Sequence, residues 1–155
     1  MFHMFSQSFH TFAIDKIGQG YTDNPRDDSL YLIKDTVNHA SNFLKTMGIE
    51  SCYVVGHSRG GYTTCRMALE QPELVKGLVI VDSGTLMGPS DDFYDNLIDE
   101  TLKIQNDKER YRFLIRANSF QGNHITEAWL DTMLELSELP KMIEAAGKMG
   151  PGPMP

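Results

Sequence analysis

The stretch SCYVVGHSRGG, residues 51–61, is the part of the chain that most constrains its fold. Its first five residues are mostly β-branched or aromatic, which is typical of a buried strand. The residues from 61 to 69 have the composition of a helix. Ser58 therefore lies on a sharp turn that joins a strand to a helix. We expect Gly56 and Gly60 to provide space at this turn, because a Cβ at either position would collide with the neighbouring element.

The spacing Gly-x-Ser-x-Gly, placed between a strand and a helix, is that of a nucleophile elbow. In such a turn the serine hydroxyl stands exposed above the edge of the sheet, and the next backbone N–H stabilises an oxyanion. An ordinary turn of the same composition is the alternative interpretation, and the strand before it argues against that alternative. We predict that Ser58 is a nucleophile, that the N–H of Arg59 is an oxyanion donor, and that His57 lines a substrate pocket.

Composition and charge restrict the class of partner. The chain has 155 residues, of which 41% are hydrophobic and 23% charged, as expected for one globular domain. Its net charge of −7 disfavours binding to nucleic acid or to an anionic membrane surface. The longest apolar run, residues 78–81, is far shorter than the roughly 20 residues that span a bilayer. We predict a small-molecule substrate, no nucleic acid and no membrane, and homo-oligomerisation stays an open alternative.

The cysteines and the start of the chain bear on its compartment. Cys52 and Cys65 do not form a disulfide framework and are expected to be reduced thiols in the core. They also lack the spacing and the neighbouring histidines of a zinc site. Residues 1–5 contain no basic segment and no small-residue cleavage site, unlike a signal peptide. The sequence predicts a cytoplasmic protein that uses neither a metal nor another cofactor.

Strands and helices alternate over residues 11–89, which we predict to form one core. Thr11–Asp15 and Gly77–Asp82 have the composition of buried strands, one before and one after the strand that leads to the elbow. An amphipathic helical pattern separates the first strand from the second. Apolar strands that alternate with helices indicate an α/β fold, here a parallel sheet of three strands with flanking helices. We expect Asp15 to tie down the Gly-rich loop that follows it.

The sequence changes character after residue 90, where no clear strand follows. Helical patterns cover residues 91–105, 108–118, 126–136 and 138–146 in turn. Trp129, in the third of these helices, is predicted to line a substrate cavity; packing between helices is the alternative. The termini, residues 1–10 and 147–155, are expected to be frayed.

Three segments make the sequence similar to enzymes of the α/β-hydrolase fold. They are DKIGQGYTDNP at residues 15–25, the elbow with its second glycine Gly61, and PELVKGLVIVD at residues 72–82. The resemblance implies an incomplete α/β-hydrolase sheet, with the helical residues 90–146 as its cap. RYRFL at residues 110–114 and ITEAW at residues 125–129 resemble the cap of the meta-cleavage-product hydrolases. Those enzymes hydrolyse a carbon–carbon bond in ring-opened aromatic compounds.

The same resemblance implies an acid and then a histidine, in that order, after the nucleophile. No segment after residue 90 resembles the strands that carry those two residues, and only ten residues precede Thr11. We therefore expect the chain to be a fragment of a hydrolase that lacks both ends. Asp82 is the candidate acid, because some members of the family hold the acid at the end of this strand. A role for Asp82 in the turn is the alternative.

The sequence thus favours a serine-dependent α/β hydrolase that breaks a carbon–carbon bond in a catabolite of the 2-hydroxy-6-oxo-dienoate type. A carboxylesterase is the alternative within the same chemistry. The alternative of another class is a catalytically inactive truncated chain, or one half of a pair that binds its partner through open sheet edges. We also expect the isolated chain to pack loosely, since sheet edges and apolar faces would be exposed.

Overall fold

Two parallel strands form the sheet in the part of the chain that the structure describes. The computed structural model describes residues 2–86 and 93–148. Strand β1 (Cys52–His57) pairs with β2 (Val75–Val81), with Cys52 beside Val75 at one end and His57 beside Val81 at the other. Helix α3 (Arg59–Glu70) connects the two strands. This βαβ unit confirms the predicted α/β class with a parallel sheet and flanking helices.

The described residues contain six further helices. They are α1 (Phe2–Phe5), α2 (Ile33–Thr46), α4 (Phe93–Leu102), α5 (Asp107–Ala117), α6 (Glu127–Ser137) and α7 (Pro140–Ala146). The last four confirm the helical patterns predicted after residue 90, although Asp91 and Asp92 lie outside the described residues. None of the described helices is both long and apolar enough to cross a bilayer.

The core lies between α2, α3 and one face of the sheet. Val37 and Leu44 of α2 pack with Met67 of α3 and with Leu74, and all four side chains are buried. Val54 contributes from β1. Burying apolar surface of this kind stabilises the fold by about 25 cal/mol for each Å² removed from water. The amphipathic pattern predicted before the elbow therefore forms a helix, α2, whose apolar side packs into this core.

The predicted strand at Thr11–Asp15 is wrong, because this segment has no ladder partner and the described sheet has two strands instead of three. A strand is stable only where a neighbour satisfies its backbone groups, and its apolar composition does not supply that neighbour. Phe12 instead packs its ring edge against Phe43 of α2, with centroids 5.6 Å apart. The segment follows the core without joining the sheet.

The prediction for Asp15 itself is confirmed. Its carboxylate accepts a hydrogen bond from the Tyr21 N–H at 2.9 Å, and its carbonyl accepts one from the Thr22 hydroxyl at 2.6 Å. Gly20 has a φ of +50°, and a Cβ there would lie 2.2 Å from the Asp15 carboxylate. The loop therefore closes tightly around this carboxylate.

The face of the sheet opposite α3 is open in the described residues. Tyr53, Val55 and Val79 alternate with core residues and are 66%, 41% and 53% exposed. Phe9 covers part of this face, with its ring 6.2 Å from that of Tyr53. Exposed apolar surface on a sheet is a feature that favours association. The expectation of loose packing for the isolated chain stays a prediction.

Two glycines, Gly56 and Gly61, let α3 pass close to the sheet, whereas the sequence predicted Gly56 and Gly60. A Cβ on Gly56 would lie 2.2 Å from the Gly60 carbonyl oxygen, which confirms the close approach at this position. A Cβ on Gly60 would meet nothing within 4 Å, so the prediction of a collision there is wrong. Gly61 has that role instead, because a Cβ on it would lie 2.5 Å from Ser83.

This difference predicts opposite effects of two neighbouring substitutions. Gly61→Ala forces its methyl group against Ser83 and should lower the free energy of unfolding by about 1–3 kcal/mol. Gly60→Ala places its methyl group in open space and should raise that free energy by about 0.5–1 kcal/mol through helix propensity. Urea denaturation of both variants beside the unsubstituted chain measures the difference. Equal losses of stability for the two variants would contradict the geometry.

Candidate active site

Ser58 lies between β1 and α3 in a backbone conformation that is rare for a residue with a side chain. Its φ is 52° and its ψ is −121°. These angles are close to those of the first central residue of a type II′ turn, a position that glycine dominates. Its N–H donates to the Val81 carbonyl at 3.1 Å, which ties the turn to the end of β2. Such strain is commonly held at functional sites by surrounding contacts.

The Ser58 carbonyl is the most heavily hydrogen-bonded group of the turn. It accepts from the Gly61 N–H at 2.9 Å, from the Ser83 hydroxyl at 2.7 Å and from the Thr85 hydroxyl at 3.3 Å. Ser83 is buried and Thr85 is half-buried. Sequence analysis missed both residues. The only local signal is their position just after the strand that pairs with β1, at the same sheet edge as Ser58.

Arg59 is the first residue of α3, and its side chain is exposed. The N–H groups of the first helical turn have no partner within the helix, so the Arg59 N–H is available to a ligand. The amino end of a helix also carries partial positive charge, which favours an anion. This arrangement is compatible with the predicted oxyanion donor.

Lys16 in the Gly-rich loop is a second positive charge near this turn. Burial of its side chain lowers the pKa of Lys16 below the ordinary value of 10.5, and the positive charge of Arg59 lowers it further. Neither cation forms an ion pair with a carboxylate of the described residues, whereas Arg66 on the same helix pairs with Glu70. No sequence pattern indicates that Lys16 lies near Arg59, since the loop and the turn are far apart in the chain.

The structure brings no histidine into hydrogen-bond contact with the Ser58 hydroxyl among the described residues. His57 is exposed at the carboxyl end of β1. His39 is half-buried on α2, and burial lowers the pKa of its ring. His124 lies 3.3 Å from the Ser119 hydroxyl, with its ring 5.6 Å from that of Trp129.

Asp82 and Trp129 occupy the positions that the sequence indicated, and their roles stay predictions. Asp82 follows the last residue of β2 with a φ of 43°, and its side chain is exposed. It shares the carboxyl edge of the sheet with Ser58, because His57 and Val81 are paired. Trp129 lies on α6 and is 38% exposed.

The helices after residue 93 form a group with a cavity of its own. Arg112 and Lys108 on α5 both pair with Glu127 on α6, and these bonds, that from Arg112 foremost, hold the pKa of Glu127 below its ordinary value. A cavity of about 300 Å³ opens among α4, α5 and α6. It is lined by Thr101, Asp107, Arg110, Tyr111, Leu114 and Ser137. No residue of the turn at Ser58 lines this cavity.

Comparison with known proteins gives several relatives with hydrolase names. The chain is 36% identical to a 2-hydroxymuconate semialdehyde hydrolase of Pseudomonas putida over 78 residues, which are 50% of this chain and 27% of that enzyme. It is 25% identical to a proline iminopeptidase of Flavobacterium johnsoniae over 149 residues, 92% of this chain and 50% of that enzyme. It is also 35% identical to an uncharacterized protein of Mycobacterium tuberculosis over 79 residues, 51% of this chain and 23% of that protein.

The chain thus spans between 23% and 50% of the length of these relatives. A model of the alpha/beta hydrolase fold family matches residues 3–128. The matched range includes β1, β2, the turn at Ser58 and helices α2 to α5. With the fold and the match in agreement, the chain belongs to the alpha/beta hydrolase fold family.

Proposed function

We propose that this chain carries the nucleophile of a serine hydrolase, and that Ser58 is that nucleophile. The observation that carries the proposal is the backbone of Ser58, whose φ of 52° and ψ of −121° place it at the apex of the turn between β1 and α3. A strained serine at this point presents its hydroxyl at the carboxyl edge of the sheet. The family membership of the chain and the hydrolase names of its relatives support the same chemistry.

The chemistry begins with attack of the Ser58 oxygen on a substrate carbonyl carbon. A bond forms between these two atoms, and the carbonyl electron pair moves onto oxygen as negative charge. The Arg59 N–H donates to this oxyanion, and the amino end of α3 adds favourable field. A general base takes the hydroxyl proton, and no described residue is assigned to that step.

The substrate class that we propose is a ring-opened aromatic catabolite of the 2-hydroxy-6-oxo-dienoate type, in which a carbon–carbon bond is hydrolysed. The cap resemblance and the relative named as a 2-hydroxymuconate semialdehyde hydrolase support this choice. Lys16 and Arg59 support it as well, since their charges interact with each other and a pair of cations beside the elbow favours a substrate that carries a carboxylate. A carboxylesterase acting on neutral esters is the alternative.

Labelling with a fluorophosphonate probe tests the nucleophile. The Ser58 oxygen would bond to phosphorus, fluoride would leave, and the hydroxyl proton would pass to solvent. We expect one probe per chain, located at Ser58 by peptide mass spectrometry, and no labelling of Ser58→Ala. Ser41→Ala, which changes a buried serine remote from the turn, serves as the matched control and should label normally. Failure of the unsubstituted chain to label would contradict the proposal that Ser58 is a nucleophile and would favour a catalytically inactive chain.

The affinity for an anionic ligand tests the substrate class. Lys16→Gln should raise the Kd of a non-hydrolysable dienoate analogue by about threefold, because one favourable charge is lost. The Kd of a neutral ester analogue should not change. Lys34→Gln, which removes an exposed lysine on α2, is the control. Titration calorimetry measures the Kd of both ligands for the unsubstituted chain and for the two variants. Equal effects of Lys16→Gln on the Kd of the two ligands would argue for the neutral ester.

The pH dependence of the same Kd has a defined sign. Since the pKa of Lys16 is lowered by burial and by Arg59, Lys16 loses its charge at a lower pH than an ordinary lysine. Affinity for the dienoate analogue should therefore weaken as the pH rises towards 10.5. Arg59→Gln removes the repulsion between Arg59 and Lys16, so the pKa of Lys16 rises. The pH at which affinity for the dienoate analogue weakens should therefore be higher in this variant. A pH profile that stays in place in Arg59→Gln would contradict the proximity of the two cations.

A further inference from the structure

We propose that Ser83 and Thr85 are positioning residues that aim the Arg59 N–H at the oxyanion by holding the Ser58 carbonyl. Neither residue is expected to touch the substrate. The inference rests on the proposed function, in which Ser58 attacks and the Arg59 N–H stabilises the resulting charge. It adds two hydroxyl groups from the turn after β2 to the machinery of the elbow.

The physical link is the peptide unit that Ser58 and Arg59 share. The carbonyl of Ser58 and the N–H of Arg59 belong to one planar group, and in this trans peptide they point in opposite directions. Any contact that fixes the direction of the carbonyl therefore fixes the direction of the N–H. The Ser83 and Thr85 hydroxyls donate to the carbonyl at 2.7 and 3.3 Å, so the N–H is aimed away from them.

The two hydroxyls lie side by side at the same carbonyl oxygen. Their oxygens lie 3.0 Å apart, within hydrogen-bond distance of each other as well as of the Ser58 carbonyl. Ser83 is 8% exposed, and the missing side chain of Gly61 leaves the space that its Cβ and hydroxyl occupy. Packing thus keeps Ser83 in place, and a buried hydrogen bond of this kind is costly to remove.

The strained backbone of Ser58 makes this support necessary for orientation. A rotation of the Ser58–Arg59 peptide changes only ψ of Ser58 and φ of Arg59, and it would carry the N–H away from the oxyanion. The Gly61 N–H also donates to the Ser58 carbonyl, but it belongs to the first turn of α3 and is present wherever that helix forms. Ser83 and Thr85 come from a different segment, so they tie the peptide to the sheet instead of to its own helix. This separation is what gives the two hydroxyls a positioning role.

The test combines labelling with nuclear magnetic resonance of the Ser58–Arg59 peptide. In the double variant Ser83→Ala and Thr85→Val we expect fluorophosphonate labelling about tenfold slower, with each single variant about threefold slower. The Ser58 carbonyl carbon and the Arg59 amide should change chemical shift before any probe is added. On labelling, the downfield shift of the Arg59 amide proton should be smaller than in the unsubstituted chain.

Two further variants separate positioning from general stability. Thr85→Ser keeps a hydroxyl at this position and should label at the unsubstituted rate. Thr101→Val removes a hydroxyl on a residue that is 8% exposed, as Ser83 is, and that donates within α4, so it should change neither the labelling rate nor the peptide shifts. Slower labelling of Thr101→Val, matching that of the double variant, would overturn the proposal because the effect would then be nonspecific.

The outcomes distinguish this inference from the proposed nucleophile. If the unsubstituted chain labels and the double variant labels equally fast, the positioning role is overturned while the nucleophile stands. If the unsubstituted chain does not label, the proposal that Ser58 is the nucleophile fails. The chemical shifts of the unlabelled protein still test whether Ser83 and Thr85 orient the Ser58–Arg59 peptide. Unmoved Ser58 and Arg59 resonances in the double variant would then overturn the inference, and moved resonances would uphold the orientation of the peptide.

Discussion

Strand β1 and helix α3 cross so closely at Gly56 that the Gly60 carbonyl and the Thr64 hydroxyl occupy the space of a side chain. The chain has to reverse from strand to helix within one residue at this crossing, and that residue is Ser58. A turn this tight requires a positive φ at its apex, which a residue with a Cβ adopts only at a cost of about 1–3 kcal/mol. The position of the helix, the direction of the hydroxyl and the free N–H of Arg59 all depend on it.

Segments far from the elbow stabilise this costly conformation. The Ser58 N–H is bound by the last residue of β2, and its carbonyl is bound by the two hydroxyls that follow. Parallel pairing of β1 with β2 brings these groups to one edge of the sheet. A conformation that the local sequence disfavours is therefore maintained by tertiary contacts, which is how strain persists at functional sites.

The side chains of Lys16 and Arg59 are positive, whereas the net charge of the protein is negative. The chain carries a net charge of −7, yet the positive charges of Lys16 and Arg59 interact with each other, and Arg59 stands at the amino end of α3 beside Ser58. Burial lowers the pKa of Lys16, and the positive charge of Arg59 lowers it further, so both disfavour the charged lysine in the free protein. Binding of an anion would relieve such an arrangement, which is why the proposed substrate carries a carboxylate.

Local patterns in the sequence were sufficient for most of the helices, for two of the three predicted strands and for the place of Ser58 on the turn between β1 and α3. The strand before the elbow, the helix after it and the helices beyond residue 93 all follow from hydrophobic periodicity and turn residues. Asp15 was also predictable, because a carboxylate before a Gly-rich loop has nearby backbone donors to bind.

Features that depend on distant partners could not be predicted in this way. Thr11–Asp15 has the composition of a strand, but pairing requires a neighbour that composition does not reveal. The close contact lies at Gly61, not at the predicted Gly60, because Ser83 stands against Gly61. Ser83 comes near the helix only through the pairing of β1 with β2. Lys16, Ser83 and Thr85 were missed for the same reason.

Backbone strain at Ser58 is the central claim, and the relative stability of Ser58→Gly and Ser58→Ala tests it most directly. Both variants lack the hydroxyl, so they differ in backbone freedom and in one methyl group. If Ser58 is strained, glycine relieves the strain, and Ser58→Gly should unfold with a free energy about 1 kcal/mol or more above that of Ser58→Ala. If the backbone is unstrained, the greater chain entropy of glycine should make Ser58→Gly the less stable variant by about 0.5–1 kcal/mol, and that result would contradict the account.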